Sequence, residues 1–346
     1  MRRICTAILL TFLAVTQFNT VEACTRIVYQ GPNNTILTAR SMDWKEDIRS
    51  NIWIFPRGMK RNGETGQKSL EWISKYGSVI TSAYDISSTD GMNEKGLVAN
   101  LLWLAESQYP EWNGEKPGLT IAAWVQYMLD NFATVDEAVK AMENRNFEIV
   151  SDKMPDGSRM ATLHLSISDA TGDNAIFEYI DGKLEIHHDR SYQVMTNSPV
   201  FEKQLALNDY WQNIGGLTFL PGTNRAADRF VRASYYINVI PKVEDEHIAV
   251  ASVFSVIRNT SVPFGISTPN EPNISSTRWR TVSDQKNKVY YFESALYPNT
   301  FWINFKDIDF SEKAPVKKLD LIGGAIYAGN TASNFIESKP FTFQGI

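Results

Sequence analysis

The chain has 346 residues, with 34 Lys and Arg against 39 Asp and Glu and a formal net charge of −5. That acidic excess gives no support for binding nucleic acid. The length is long for one domain but within the range of single α/β proteins, so a large core is available.

Residues 1–23 carry Arg2 and Arg3, an apolar run over residues 4–15, a polar stretch, and Val21-Glu22-Ala23, which fits the small-x-small rule of signal peptidase. They are expected to be a cleaved signal peptide, which makes the protein periplasmic or secreted and leaves residues 24–346 as a single domain. Cleavage removes Cys5 and makes Cys24 both the first residue and the sole thiol, so no internal disulfide forms. No second apolar run approaches the roughly 18 residues needed to span a bilayer, so no stable membrane insertion is expected after cleavage. A new N-terminal cysteine unites a thiol of pKa about 8.5 with an α-amine of pKa about 8 on one residue. Nucleophile and base arrive together. Two blander readings compete: acylation of Cys24 as in bacterial lipoproteins, against which Glu22 and Val21 stand where a small residue and Leu are usual, and an inert buried cysteine.

TRIVYQ (25–30) and TILTARSMDW (35–44) read as strands joined by the turn Gly31-Pro32-Asn33-Asn34, a hairpin that returns Arg40 and Asp43 towards Cys24. NIWIFP (51–56), GSVITSAY (77–84) and, after the turn Asn93-Glu94-Lys95-Gly96, LVANLLWL (97–104) also read as strands. Amphipathic helices are expected over 120–131 and 135–144, the second opened by the capping box Thr134 to Glu137. Strand patterns return at ATLHLSIS (161–168), NAIFEYI (174–180), KLEIHH (183–188) and YQVMTN (192–197). Helices follow over 200–213, 225–240 and 246–259, then strands over 277–284, 288–297 and 300–305 and a tail without clear signal. No linker or repeat interrupts the chain. Strand blocks separated by helix blocks imply an α+β domain with two antiparallel sheets packed face to face and helices outside.

Rival chemistries lack their motifs. No Gly-x-Ser-x-Gly elbow, P-loop or dinucleotide fingerprint is present. His164, His187, His188 and His247 remain open for a Cys-His mechanism, although none is needed when the amine belongs to the nucleophile. His187-His188-Asp189 is a poor metal site because adjacent strand residues point to opposite faces. Neither a metal nor a cofactor is expected.

The spacing of Cys24, Arg40 and Asp43 resembles the N-terminus of the choloylglycine hydrolase family, N-terminal nucleophile hydrolases that include bile salt hydrolases and penicillin V acylases. DGMNEKGL (90–97), VMTNSP (194–199), and LPG (220–222) with DRFVR (228–232) carry the resemblance further in the same order. It implies a four-layer αββα sandwich with Cys24 opening a core strand, a single catalytic domain over 24–346, and a homotetramer. It also implies Cys24 as nucleophile, Asp43 as the carboxylate that accepts from the α-amine, Arg40 as the cation favouring thiolate, Asn197 as the oxyanion-hole amide, and Arg229 as a second active-site arginine. Trp103 stands where many Gram-positive members have asparagine.

Each residue also has an ordinary reading. Asn197 before Ser-Pro could be a turn former, Arg40 and Asp43 an ion pair, Trp44 and Trp103 core aromatics, and Arg232 is read as an outward helix charge. Placed beside the catalytic positions, Trp44 and Trp103 become candidate substrate contacts. The implied partner is a small N-acyl amide. Similarity to Gram-negative, Bacteroides-type members favours glycine- or taurine-conjugated bile acids, with penicillin V or another N-acyl amide as the alternative and a lipid-anchored binding protein as the remote one. An apolar pocket alone discriminates weakly between such acyl groups.

Overall fold

The computed structural model of the chain describes residues 24–216, 218–266 and 275–346, so the expected signal peptide lies outside the described residues. Thr25–Gln30 and Ile36–Trp44 pair antiparallel, with Arg26 opposite Arg40 and Thr25 opposite Ser41. Asn33 and Asn34 turn the chain at φ of 53° and 57°, a left-handed conformation that asparagine tolerates better than most residues. This hairpin belongs to a seven-stranded sheet in the order Val194–Met195, Thr25–Gln30, Ile36–Trp44, Ser276–Asp284, Val289–Ser294, Thr300–Asn304, Gly329–Asn330. Ile36–Trp44 is buried at every position.

A nine-stranded sheet lies against it, with Leu163–Ser168, Val98–Trp103, Ser87–Asn93, Ser78–Ala83 and Ile52–Phe55 as consecutive neighbours in its middle. Ile52 and Ile54 join the core cluster shared with the seven-stranded sheet, whereas Trp53 and Phe55 join the cluster under the helices Trp124–Asn131 and Val135–Glu143. A strand buried on both faces needs apolar side chains at both parities, which is why NIWIFP shows no polar alternation. The seven-stranded sheet carries Ala226–Val239 and Glu246–Asn259 on its outer face. Hydrogen bonds such as Thr81 Oγ1 to Tyr290 OH, 2.7 Å, tie the two sheets together. The order helix, sheet, sheet, helix is the expected α+β sandwich. No described helix is long and apolar enough to cross a membrane.

Four local expectations differ from the structure. The helix expected from Thr120 begins later: Gly118–Thr120 is a strand, Ile121–Ala123 a 3-10 turn, and the α-helix starts at Trp124, because Thr120 accepts from Ala122 N and donates to Gln344 O. Ser87–Asn93, read only as a motif ahead of a turn, is a strand held between two others despite weak intrinsic preference. At Gly91 a Cβ would lie 2.7 Å from Ile80 Cγ2 and 2.9 Å from Leu129 Cδ1, so the glycine permits close packing of the strand on its helix. The tail contributes Lys317–Leu319, Gly329–Asn330 and Ile336–Glu337, strands too short to show alternation; the last two are sheet edges, and Lys317–Leu319 lies between Ile52–Phe55 and Ile336–Glu337. Arg232 is not an outward charge: it is buried and donates to Pro221 O and Thr223 O, joining DRFVR to LPG.

Candidate active site

Strand alternation sorts the hairpin residues onto two sides. Thr38 and Arg40 face the other sheet: Thr38 Oγ1 lies 2.7 Å from Ser168 Oγ, and the Arg40 guanidinium donates to Thr89 O and Leu101 O at 2.7 Å each. Ser87–Asn93 and Val98–Trp103 pair only between Asp90/Asn100 and Met92/Val98. Beyond that the strands part, and Arg40 fills the opening with one carbonyl from each. Its guanidinium also stacks on Trp279, 5.1 Å from the ring centre. The hairpin register carries Cys24 to the level of Met42, so its side chain shares the Arg40 face, and both line the same cavity.

Ser41 and Asp43 point the other way, towards the helices. Asp43 Oδ1 accepts from Thr277 Oγ1 at 2.5 Å and Oδ2 from Ser41 Oγ at 3.4 Å. Burial pushes the Asp43 carboxyl up to about 6, opposed by the nearby charge of Arg229 and by these hydroxyls. Arg229, fully buried on Ala226–Val239, donates through Nη1 to Cys24 O at 2.6 Å and Thr25 Oγ1 at 2.5 Å, and through Nη2 to Asn197 Oδ1 at 2.8 Å. Burial lowers its own pKa, while Asp43 and Cys24 oppose that shift.

Asn197 joins these groups. Its Oδ1 accepts from Cys24 N at 2.5 Å as well as from Arg229, and its Nδ2 donates to Trp103 O at 2.7 Å. Two donors at one atom and an acceptor at the other set the amide orientation. Trp103 O is available because Trp103 and Leu163 form a non-hydrogen-bonded pair, the ladder bond running from Leu104 N to Thr162 O. One N–H of Nδ2 is thereby used, and an amide nitrogen has two. Gln204 braces the loop from below, donating to Asn197 O and Pro199 O and accepting from Thr196 Oγ1. His164 Nε2 contacts Thr196 O at 2.8 Å and its Nδ1 contacts Glu178 at 3.0 Å. Burial raises Glu178, but hydrogen bonds from His164 and His187 outweigh it and hold the carboxyl at about 2.

The thiol does not match the expectation of a stabilised thiolate. Burial raises the Cys24 pKa above its ordinary value; Arg40 and Arg229 only partly offset this, and Asp43 adds to it. The cation is in place, but desolvation of the charged form outweighs it. Nor does the Cys24 N–H go to Asp43, since Asn197 Oδ1 receives it. The residue that balances Arg40 is Asp90 of the DGMNEKGL motif, buried and accepting from Asn100 Nδ2 at 2.6 Å, Thr281 Oγ1 at 3.2 Å and Tyr290 OH.

Above the thiol lies an open cleft of roughly 750 Å³, solvent at its mouth included, walled chiefly by apolar side chains such as Met42, Ile48, Ala83 and Leu101. Trp44 and Trp103 line it with ring centres 6.1 Å apart, and Trp44 Nε1 donates to Tyr84 OH at 3.1 Å. Asp43, Asn197 and Arg229 are outside the cleft lining, on the far side of Cys24. Among the described residues no cluster of His, Cys, Asp and Glu is arranged to hold a metal ion. His187 and His188 contact Glu178 and Asp173 respectively.

All seven residues singled out from the sequence therefore meet around one thiol. Thr277, Gln204, Glu178 and Gln344 were missed, and His164, weighed from the sequence only for a Cys-His mechanism, instead contacts the Thr196 carbonyl. Thr277 and Gln344 meet partners 234 and 191 to 192 residues away, Gln204 meets partners only five to eight residues back, and Thr, Gln and buried His have no short-range signature.

This chain is 54% identical to a penicillin V acylase of Pectobacterium atrosepticum over 97% of its own length and 96% of the relative's. A solved penicillin V acylase from Agrobacterium tumefaciens superposes with a TM-score of 0.88 at 62% identity, covering 93% of this chain and all of that one (100%). A bile salt hydrolase/transferase of Clostridium perfringens is 27% identical, covering 78% of this chain and 89% of the relative. A solved conjugated bile acid hydrolase from the same organism shares the fold, with a TM-score of 0.73 at 23% identity over 86% of this chain and 96% of that one. The family model for linear amide C-N hydrolases matches residues 24–318, and the chain belongs to the choloylglycine hydrolase family.

Proposed function

We propose that the protein is an exported penicillin V acylase-type amidohydrolase with Cys24 as nucleophile. The observation that carries this reading is the cysteine thiol at the base of an apolar, tryptophan-lined cleft, with Asn197 and Arg229 directly behind it. The cleft suits a bulky apolar acyl group, and the polar atoms gather at the carbonyl end. Identity of 54% and 62% to penicillin V acylases, against 27% to a bile salt hydrolase/transferase, favours penicillin V over the conjugated bile acids expected from the sequence.

In this reading signal cleavage frees the Cys24 amine. While Ala23 is attached Cys24 N has one N–H, held by Asn197; a terminal amine has further donor capacity, which this reading assigns to Asp43. The amine takes the thiol proton as sulfur attacks the carbonyl, which removes the need for a preformed thiolate at a site that raises the thiol pKa. The second N–H of Asn197 Nδ2 meets the oxyanion, an interaction typically worth on the order of 10²- to 10³-fold in rate. The amine then passes its proton to the leaving nitrogen, and water releases the acyl group from sulfur. Trp44 and Trp103 hold the acyl group. Periplasmic or secreted location and a homotetramer belong to the same reading.

Side-by-side kinetics test it. The mature enzyme is expected to cleave penicillin V with a higher kcat/KM than glyco- or tauro-conjugated bile acids. A clear reversal would return the assignment to bile salts.

A further inference from the structure

Gln344, near the end of the tail that carried no sequence signal, lines the cleft above Cys24. Its backbone N–H donates to Ile86 O at 2.9 Å and its carbonyl accepts from Thr120 Oγ1 at 2.6 Å. Its side-chain Nε2 donates to Lys153 O at 2.5 Å and to Asp152 Oδ2 at 3.2 Å. All four partners are themselves cleft-lining residues, drawn from three separate stretches of chain. Met154 and Pro155, next along the third stretch, line the cleft as well.

The chain end is firmly seated where it does this. Phe341 packs on Trp53 and Phe55 with ring centres 5.3 and 5.8 Å apart, Phe343 packs on Phe341 at 5.2 Å, and Ile346 N donates to Glu64 O at 3.1 Å. A Cβ on Gly345 would collide with Glu64 O, so glycine permits this close approach. Residues 152–161 close on themselves, Ala161 N donating to Asp152 O at 2.8 Å, Met154 N to Arg159 O at 2.8 Å and Gly157 N to Met154 O at 2.7 Å, so the two N–H donors of Gln344 fix where this loop sits against the cleft rather than its internal shape. Residues 152–155 are in no helix or strand beyond the isolated bridge of Lys153 to Met160.

We propose that Gln344 is a specificity-determining residue, which ties the wall formed by residues 152–155 to those at Ile86 and Thr120 and thereby sets the cleft width for a compact aryl acyl group. This rests on the acylase reading for the identity of the acyl group. The geometry of the clamp does not depend on that reading. The tail therefore acts on the acyl half of the substrate while touching none of the groups behind the thiol.

Gln344→Ala keeps both backbone links and removes only the side-chain clamp. It is expected to leave kcat for penicillin V within about twofold, to raise KM about tenfold, and to shift the kcat/KM ratio about tenfold towards the bulkier 2-naphthoxyacetyl amide of 6-aminopenicillanic acid. Gln344→Glu, nearly the same size but lacking the N–H donors and facing Asp152, is expected to follow Ala; wild-type behaviour of the Glu variant would show that bulk alone matters and would overturn the clamp. Calorimetric binding of phenoxyacetate and 2-naphthoxyacetate separates the clamp from turnover. A shifted Kd ratio in Gln344→Ala supports it even if the wild type fails to cleave penicillin V, a failure that would sink the acylase reading alone. An unchanged Kd ratio and an unchanged KM in a variant with the wild-type melting temperature would overturn the proposal.

Discussion

Arg229 donates to Asn197 Oδ1 at 2.8 Å, and the same oxygen takes the Cys24 N–H at 2.5 Å, so the amide assigned to the oxyanion is oriented by the fold before substrate arrives. Arg229 also donates to Cys24 O, so one guanidinium bridges the Cys24 backbone and the Asn197 side chain. Loss of this amide has two separable consequences.

Asn197→Ala leaves buried donors and an acceptor without partners, each costing about 1–3 kcal/mol, so it should lower both the melting temperature and the rate. Asn197→Asp keeps an oxygen for Cys24 N and Arg229 but has no N–H for an oxyanion. It loses the donor to Trp103 O, so stability should fall by about 1–3 kcal/mol, while kcat falls on the order of 10²- to 10³-fold. Near-normal turnover by the Asp variant would remove Asn197 from the oxyanion role.

The pH profile reports on Asp43. With its carboxyl raised to about 6, the ionised form that the proposed mechanism needs to receive the amine appears only above that point, so kcat/KM should show an acid limb near pH 6 that Asp43→Asn abolishes along with most of the rate. Stability runs the opposite way. The native chain holds this proton more tightly than the unfolded chain, so the Asp43 contribution falls as pH rises between the ordinary 3.8 and about 6. Denaturant titrations of wild type and Asp43→Asn across that window measure the difference.

Asp90 offsets the charge of Arg40, and Arg40 favours ionisation of the Cys24 thiol. Asp90→Asn should therefore lower the thiol pKa while destabilising the fold by on the order of 3 kcal/mol through the uncompensated buried cation. Iodoacetamide alkylation of Cys24 as a function of pH gives the first quantity and urea unfolding the second. An alkylation midpoint that stays put or moves up would contradict the electrostatic link.

Processing can be tested by mass and activity together. A form retaining residues 1–23 should fold yet be inactive, whereas the mature form should begin with unmodified Cys24. A diacylglyceryl adduct on Cys24 would sink the enzyme reading in favour of a lipid-anchored protein. Equal activity of the unprocessed form would show that the α-amine is not the base. Cys24→Ser in the mature form should be slower than any variant above, since a hydroxyl ionises far less readily than a thiol.

What the sequence alone determined was local. Turn chemistry at Asn33-Asn34 and strand patterning of the first hairpin bring Arg40 and Asp43 back to Cys24, because strand pairing across a short turn follows from a few neighbouring residues. The strands NAIFEYI and KLEIHH and the helix Glu246–Asn259 were legible for the same reason, each carrying its own period and punctuation. The family motifs further indicated that Asn197 and Arg229 belong to the site, although not what they bond. Only tertiary structure decided that Asn197, 173 residues away, takes the Cys24 N–H, and that the Cys24 thiol is raised rather than stabilised as thiolate. It also decided that Arg232 is buried and that the unpatterned tail walls the cleft through Gln344. Those outcomes depend on which surfaces exclude water together and which polar atoms are left to pair there. No local periodicity encodes them, because desolvation and cross-sheet hydrogen bonding belong to the assembled layers.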